Sequence, residues 1–236
     1  MNTVWITRTE PGASQQADVL RAHGYPVMIW PLLDIEFLEP PQLLVNGDLV
    51  EDSGRVAALL SVPPRMVIAL SGHAVRAAAG QGLLGDASAA IAIAVGGQTA
   101  ALLSDMVTDV IVPAQATSEG ILALPELTRL AAGDTVWILA GIGGIELLAQ
   151  QLLSQYGVTV VKFELYRRVG RPQPPEVDAH RIGAVVIASQ QGLNVFTKQW
   201  QDMSGSPLVP LIVPSDRVAA AAAEAGFVHV HIAGGA

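Results

Sequence analysis

The sequence predicts an α/β fold of two similar doubly wound parallel-sheet domains, and three observations carry that prediction. The first is the stretch Asp134 to Arg168: an apolar run (Val136-Trp137-Ile138-Leu139), a small turn (Gly141-Ile142-Gly143-Gly144), a helix-period pattern from Glu146 to Tyr156, and a second apolar run from Val158 to Phe163. That order is strand, turn, helix and strand, the minimal parallel βαβ unit. The second is that Thr3 to Glu36 repeats it, with VWITR, a Pro11-Gly12 turn, a helical pattern from Ser14 to Ala22, Gly24 as a stop and the strand PVMIW. The third is that the echo continues downstream of each copy. MVIALSGHAV from Met66 matches AVVIASQQGL from Ala184, IAIAVGGQTAALL from Ile91 matches PLIVPSDRVAAAA from Pro210, and DVIVPA from Asp109 more weakly matches HVHIA from His229. Two copies are too few for a solenoid, so the repeat reads as two related α/β domains.

Composition agrees with buried parallel strands: 51% of the 236 residues are hydrophobic and only 14% charged. The chain has no Cys, which excludes a disulfide framework, a thiolate zinc site and a cysteine nucleophile together. No basic, apolar and small-residue succession opens it, so no signal peptide is expected. The longest uncharged run, Ala87 to Ser104, is broken by Gly96-Gly97-Gln98-Thr99 and reads as strand, turn and helix, not a membrane span. The expected compartment is the cytoplasm. Net charge is −8, and the basic residues cluster only at Arg167, Arg168 and Arg171, which argues against nucleic acid. An anionic small molecule remains compatible, because turn amides and helix N-termini bind anions without formal charge. Low aromatic content favours a monomer.

Along the chain, Val4-Trp5-Ile6 is the first strand, and Thr7, Arg8 and the turn through Ser14 lie beyond its carboxyl end, where open parallel sheets collect ligands. Val27 to Trp30 is the second strand. Pro31 and Pro40-Pro41 bracket Leu32 to Glu39, an extended segment expected to leave the first domain as a linker. Gln42 to Pro64 is hard to read, with one amphipathic helix expected over Val50 to Leu60. Met66 to Leu70 is a strand that turns through Ser71-Gly72-His73 into a short helix, with His73 read as a capped or exposed residue. Ile91 to Val95 is another, leaving through Gly96-Gly97-Gln98-Thr99, whose amides and hydroxyl suit a carboxylate. Val110 to Val112 closes that series, and Thr117 or Ser118 caps a helix from Ile121. After the second βαβ unit, GRPQPP from Gly170 to Pro175 reads as a linker. The remaining strands, Val185 to Ala188, Leu208 to Val213 and Val228 to Ile232, present Ser189-Gln190-Gln191 and Ser215-Asp216-Arg217 at their ends.

Several familiar motifs fail. Gly141-x-Gly143 invites a dinucleotide reading with Glu164 as the ribose acid, but the third glycine position holds Glu146, the wrong sign for a pyrophosphate. His229 and His231 alternate on one strand without a third ligand, a weak metal signal. No catalytic triad order, G-x-S-x-G, H-E-x-x-H or Walker A is present.

WITRTEPGA, AVGGQTAALL, VPAQATSEGILALPEL, GIGGIELLAQQL, FELYRR and VPSDRVAAAAAEAGF occur in that order across nearly the whole chain, which thereby resembles uroporphyrinogen-III synthases. The resemblance implies a discontinuous first domain, residues 1–36 plus 170–236, and a second domain of residues 37–169. It also implies a two-stranded hinge near residues 32–39 and 165–175. It implies conversion of hydroxymethylbilane, a linear tetrapyrrole with eight carboxylates, to uroporphyrinogen III. Water leaves, a spiro intermediate forms and the ring closes with the last pyrrole inverted, without metal or cofactor. Catalysis would lie chiefly in holding a floppy chain in one folded conformation between two closing rims. Carried over position by position, Tyr166 assists hydroxyl departure. Ser71, Thr99, Ser189 and Ser215, with amides near Gly96, Gly97, Gln190 and Gln191, meet carboxylates. Arg8 adds charge, whereas Arg217 is read as one half of a structural ion pair. The family often carries arginines where this chain has Ala140 and Ile145, and the chain stops at Gly234-Gly235-Ala236, short of a final helix many relatives have. An alternative reading, a non-catalytic two-domain protein closing on an anionic small molecule, rests on that altered turn.

Overall fold

The computed structural model describes residues 2–85, 90–143, 146–174 and 177–233. Contacts divide the chain into two compact units, Met1–Asp34 with Val169–Ala236, and Ile35–Arg168. The first unit is built on a five-stranded sheet of β1 (Thr3–Ile6), β2 (Val27–Ile29), β9 (Ile182–Val186), β10 (Leu211–Val213) and β11 (Val230–Ile232), ordered β11-β10-β9-β1-β2. Every pairing in it is parallel. Adjacent residues on β1 point to opposite faces, so the strand feeds two cores at once. Ile6 packs on α1 (Gly12–Ala22) through Ala13 and Ala17. Trp5 packs on α7 (Gln190–Asp202) and α8 (Asp216–Glu224), with Phe196, Trp200 and Val218. The Trp5 and Phe196 rings meet edge to face at 5.6 Å, while Phe196 and Trp200 stack at 5.2 Å.

The second unit holds a six-stranded sheet of β3 (Leu33–Val45), β4 (Asp48–Val50), β5 (Met66–Ala69), β6 (Ile91–Ala94), β7 (Thr135–Gly141) and β8 (Thr159–Gly170), ordered β4-β3-β8-β7-β5-β6. The pairings β5·β6, β5·β7 and β7·β8 are parallel, and the β3·β4 hairpin is antiparallel. All four residues of β5 are buried, as strands covered on both faces must be. One face packs under α3 (Gly72–Gly80), through Ala74, Val75 and Ala78 against Val67, Trp137 and Phe163. The other packs on α6 (Leu147–Tyr156), through Leu148 and Leu152 against Ile68, Val136 and Val160.

The internal repeat is visible as topology. Ala184 pairs with Val4, and Met66 with Val136, so β9-β1-β2 in the first unit corresponds to β5-β7-β8 in the second. Next to these, β10 corresponds to β6, and Ile111, bridged in parallel to Ile93, stands in the place of β11. The order is the same but the βαβ unit opens the first copy and closes the second. Both are the open α/β arrangement with a switch point beside the central strand.

Sequence and structure differ in detail at four places. The segment Leu32 to Glu39 is extended, and the division between the two units falls within it, between Asp34 and Ile35, but it is also part of a strand: β3 runs from Leu33 through Pro40 and Pro41 to Val45. Proline is tolerated there because β4 faces only Leu43, Leu44 and Val45, so at Pro40 and Pro41 one side of the strand needs no ladder donor. The expected helix from Val50 begins at Ser53, as α2 (Ser53–Leu60), capped by the Asp52 carboxylate on the Arg55 amide at 2.7 Å. Before it, Asn46-Gly47 closes the β3–β4 hairpin, with φ of 52° and 97°, the left-handed pair of a two-residue turn. The helix expected from Ile121 starts earlier, as α5 (Ser118–Leu122) with Thr117 as its cap, and Val110 to Val112 contributes one bridge and no strand. Pro175 and the Gly234-Gly235-Ala236 end lie outside the described residues. Gly47→Ala should cost about 1 kcal/mol, since a Cβ is disfavoured at that φ. Urea unfolding midpoints of the two proteins would measure it.

Candidate active site

Four helices, α3, α4 (Gly97–Leu103), α7 and α8, start directly beyond parallel strands, and their caps share one backbone geometry. Ser71 has φ −165° and ψ 155°, Gly96 −165° and 170°, Ser189 −162° and 163°, and Ser215 −163° and 162°. Ser71 and Ser189 occupy equivalent places in the two copies, as do Gly96 and Ser215. Each cap turns the first helical amides toward the carboxyl edge of its sheet, where donors can meet an anion.

In the second unit, the edge is built around Tyr166. β7 and β8 pair residue for residue up to Ala140 with Glu164, and then Gly141 faces Tyr166, so β8 carries one extra residue at Leu165. A bulge of this kind reverses which face the next side chain takes. Tyr166 is therefore buried on the α3 side with Phe163 and Leu165, not on the side of Lys162 and Glu164. Gly141 makes room for it: a Cβ there would lie 2.6 Å from Tyr166 Cζ. The glycine that suggested a nucleotide turn is thus required by a tyrosine ring. Glu164, the supposed ribose acid, is buried and bound by Lys162 Nζ at 2.8 Å.

Two donors converge on the phenol oxygen. Ser71 Oγ donates to Tyr166 Oη at 3.0 Å while accepting from the Ala74 amide at 3.2 Å. Arg168 Nη2 donates to the same oxygen at 3.0 Å, its guanidinium carbon 5.4 Å from the ring centroid. His73 meets the Tyr166 ring edge on at 5.6 Å. Burial, then the charges of Arg76 and Arg168, hold its imidazole below the ordinary histidine value of 6.5, so it is neutral at neutral pH. His73 is therefore part of this cluster and not the exposed cap residue expected from sequence. Tyr166 itself is 1% exposed, so it is an interior group whose oxygen meets the exposed Arg168 and not an open rim side chain. Nearby in the sheet order, Gly97 is exposed and Gly96 half-buried, while Thr99 is buried beneath its turn at 6% exposure.

The first unit presents a different set. Thr7 Oγ1 donates to the Val186 carbonyl at 2.6 Å, tying the end of β1 to β9. Arg8, half-buried, folds over Gly12, where a Cβ would meet its guanidinium. Ser189 Oγ caps α7 by accepting from the Gly192 amide at 3.1 Å, and Gln190 Nε2 donates to Asn194 Oδ1 at 3.1 Å, with Gln191 exposed beside it. Ser215 differs from Ser71 and Ser189: its hydroxyl makes no capping bond. Arg217 is exposed and has no ion-pair partner among the described residues, contrary to the structural pair expected of it. His229 and His231 are exposed, and among the described residues no group of three or more His, Cys, Asp or Glu is placed to hold a metal.

A family model described as Uroporphyrinogen-III synthase HemD matches residues 14–235. The chain belongs to the uroporphyrinogen-III synthase family. Two solved structures share the fold at low identity. A mutant uroporphyrinogen III synthase from the extreme thermophile Thermus thermophilus is 18% identical with a TM-score of 0.57, the match covering 98% of this chain and 92% of that one. Uroporphyrinogen-III synthetase from Helicobacter pylori 26695 is 14% identical with a TM-score of 0.60, over 100% of this chain and 93% of that one. Within the family, the departure at Ala140 loses its force. Ala140 is 2% exposed in the core against α6, so it is no vacated anion contact. Ile145 lies outside the described residues.

Arg168 is the residue that sequence reading overlooked, although its spacing held the signal. Tyr166 and Arg168 are two apart on one strand and so share a face, but the strand was expected to end at Phe163. Gly141→Ala should displace the Tyr166 ring and lower the melting temperature, whereas Gly143→Ala, which meets no atom, should leave the tyrosine environment in near-ultraviolet circular dichroism unchanged. His73 titrates lower in the folded chain than unfolded, so its share of stability is complete above pH 6.5 and is lost as pH falls toward the lowered value. The wild-type melting temperature should thus drop more between pH 7.5 and 5 than that of His73→Gln.

Proposed function

We propose that this chain closes hydroxymethylbilane to uroporphyrinogen III, losing water and inverting the terminal pyrrole, and that Tyr166 assists the departing hydroxyl. Membership of a family of lyases supports the reaction, and the convergence of Ser71 and Arg168 on Tyr166 Oη supports the role of the phenol. A linear tetrapyrrole that loses hydroxide becomes an electrophile along its length. What the protein must then supply is a folded conformation and anchors for carboxylates. Ser71, Gly96, Gly97 and Thr99 are the anchors proposed in the second unit, and Arg8, Ser189, Gln190, Gln191 and Ser215 those in the first. Ser215 and Arg8 are the best suited of these, because among the described residues neither side chain is engaged in a hydrogen bond or ion pair.

The same proposal includes a monomer that needs no cofactor or nucleic acid and works in the cytoplasm. Its support is the negative charge and the Cys-free composition. Among the described residues no helix is long and apolar enough to cross a membrane. The test generates hydroxymethylbilane in situ, adds this protein, oxidises the products and separates type I from type III uroporphyrin. Spontaneous closure gives type I, so type III is the expected result, with Tyr166→Phe slower by about 100-fold, in the range for lost acid assistance. Type I alone from folded protein would overturn the proposal.

A further inference from the structure

We infer that Arg168 is a positioning residue that acts through Tyr166, holding the phenolate that remains when the phenol gives its proton to the leaving hydroxyl. The inference rests on the proposed role of Tyr166 and goes beyond it. A phenol oxygen has two lone pairs and one hydrogen. Here the lone pairs receive Ser71 Oγ–H and Arg168 Nη2–H, both at 3.0 Å, so the phenol's own hydrogen is the one turned to a third group. This fixes the direction of transfer. The C–O bond of the hydroxymethyl group breaks, the departing oxygen takes the Tyr166 proton and leaves as water, and the electron pair of the phenol O–H bond stays on Oη. The carbon left behind is stabilised by its pyrrole nitrogen. The proton lost later, when the macrocycle recovers its aromatic pyrrole, restores the phenol, so no further reactant is consumed.

Both bonds to Oη strengthen as negative charge gathers there, and the Arg168 bond is charge-assisted. A buried ring with little water around it makes that charge matter more than it would on the surface. Neutral His73 on the ring edge adds no competing positive charge. Bulge, glycine and register all serve to bring Oη to this point, since Gly141 opens the space and Leu165 turns the ring toward Ser71.

The experiment is a double-mutant cycle on the full chain with Arg168→Met, Tyr166→Phe and the two combined, read as kcat, KM and the type III fraction. Arg168→Met is expected to lower kcat about 10-fold with Tyr166 present, the size of one charge-assisted bond, and to have no further effect in the Tyr166→Phe background. Arg168→Lys, which keeps a charged donor, should recover part of the loss. The Tyr166 13Cζ resonance, assigned by its disappearance in Tyr166→Phe, should shift in Arg168→Met even without substrate. A KM increase at constant kcat, or losses that multiply in the double variant, would make Arg168 a plain carboxylate anchor and overturn the inference while leaving Tyr166 its role. A Tyr166→Phe protein as fast as wild type would overturn both.

Discussion

Strands buried on both faces leave no polar side for chemistry, and this constraint shapes everything else in the molecule. β5 is buried at every position and β7 at all but its first residue. The charged pair inside the sheet, Lys162 and Glu164, is closed on itself, so polar groups open to a ligand appear where such strands stop, and because the strands are parallel they stop on the same edge. The helices that follow must begin there too, so their unpaired amides gather beside one another. The shared cap geometry of Ser71, Gly96, Ser189 and Ser215 is the local expression of that rule. It explains why a reaction on an anionic substrate can be housed in a chain of net charge −8.

A single tyrosine shows how far packing had to be adapted to that edge. Strict alternation along β8 would put Tyr166 beside Lys162 and Glu164, on the face covered by α6. One extra residue at Leu165 turns it under α3 instead, and the missing side chain at Gly141 leaves the ring its place. Each feature alone is an irregularity in a sheet. Together they carry a phenol from the core to the end of β5, where Ser71 and Arg168 reach it.

Much of this was legible in the sequence, and the reasons differ by element. The βαβ units and their echoes were read from apolar periodicity, which survives because burial on two faces permits few substitutions. The permuted copy was half visible: the matches of Met66 with Ala184 and Ile91 with Pro210 are register statements that the pairing of strands makes explicit. The Asn46-Gly47 pair is a two-residue turn signal, but it lies in the stretch Gln42 to Pro64, where the strands it joins, the end of β3 and the three-residue β4, are too short for apolar alternation to show. The bulge at Leu165 left no trace, since Leu, Tyr and Phe are equally apolar to a period-two reading. The role of Gly141 was obscured by a stronger association of G-x-G with nucleotides. Ser71 and Tyr166 were named from the family, but the arginine beside the tyrosine was counted only as charge.

The two copies also show why the alanine at 140 need not mean lost function. Register makes Val4 the counterpart of Val136, and therefore Arg8 the counterpart of Ala140. The same position ends in different surroundings. β1 stops at Ile6, Thr7 ties back to Val186, and Arg8 emerges over Gly12. β7 instead continues to Gly141, because β8 runs beside it as far as Tyr166, and Ala140 is sealed against α6. An arginine at 140 in this backbone would have to fit into a closed core opposite a Glu164 that Lys162 already binds. Alanine is what that longer strand requires, and in this copy the cation stands two residues past the phenol, at Arg168, on a strand whose extra length is what brings it there.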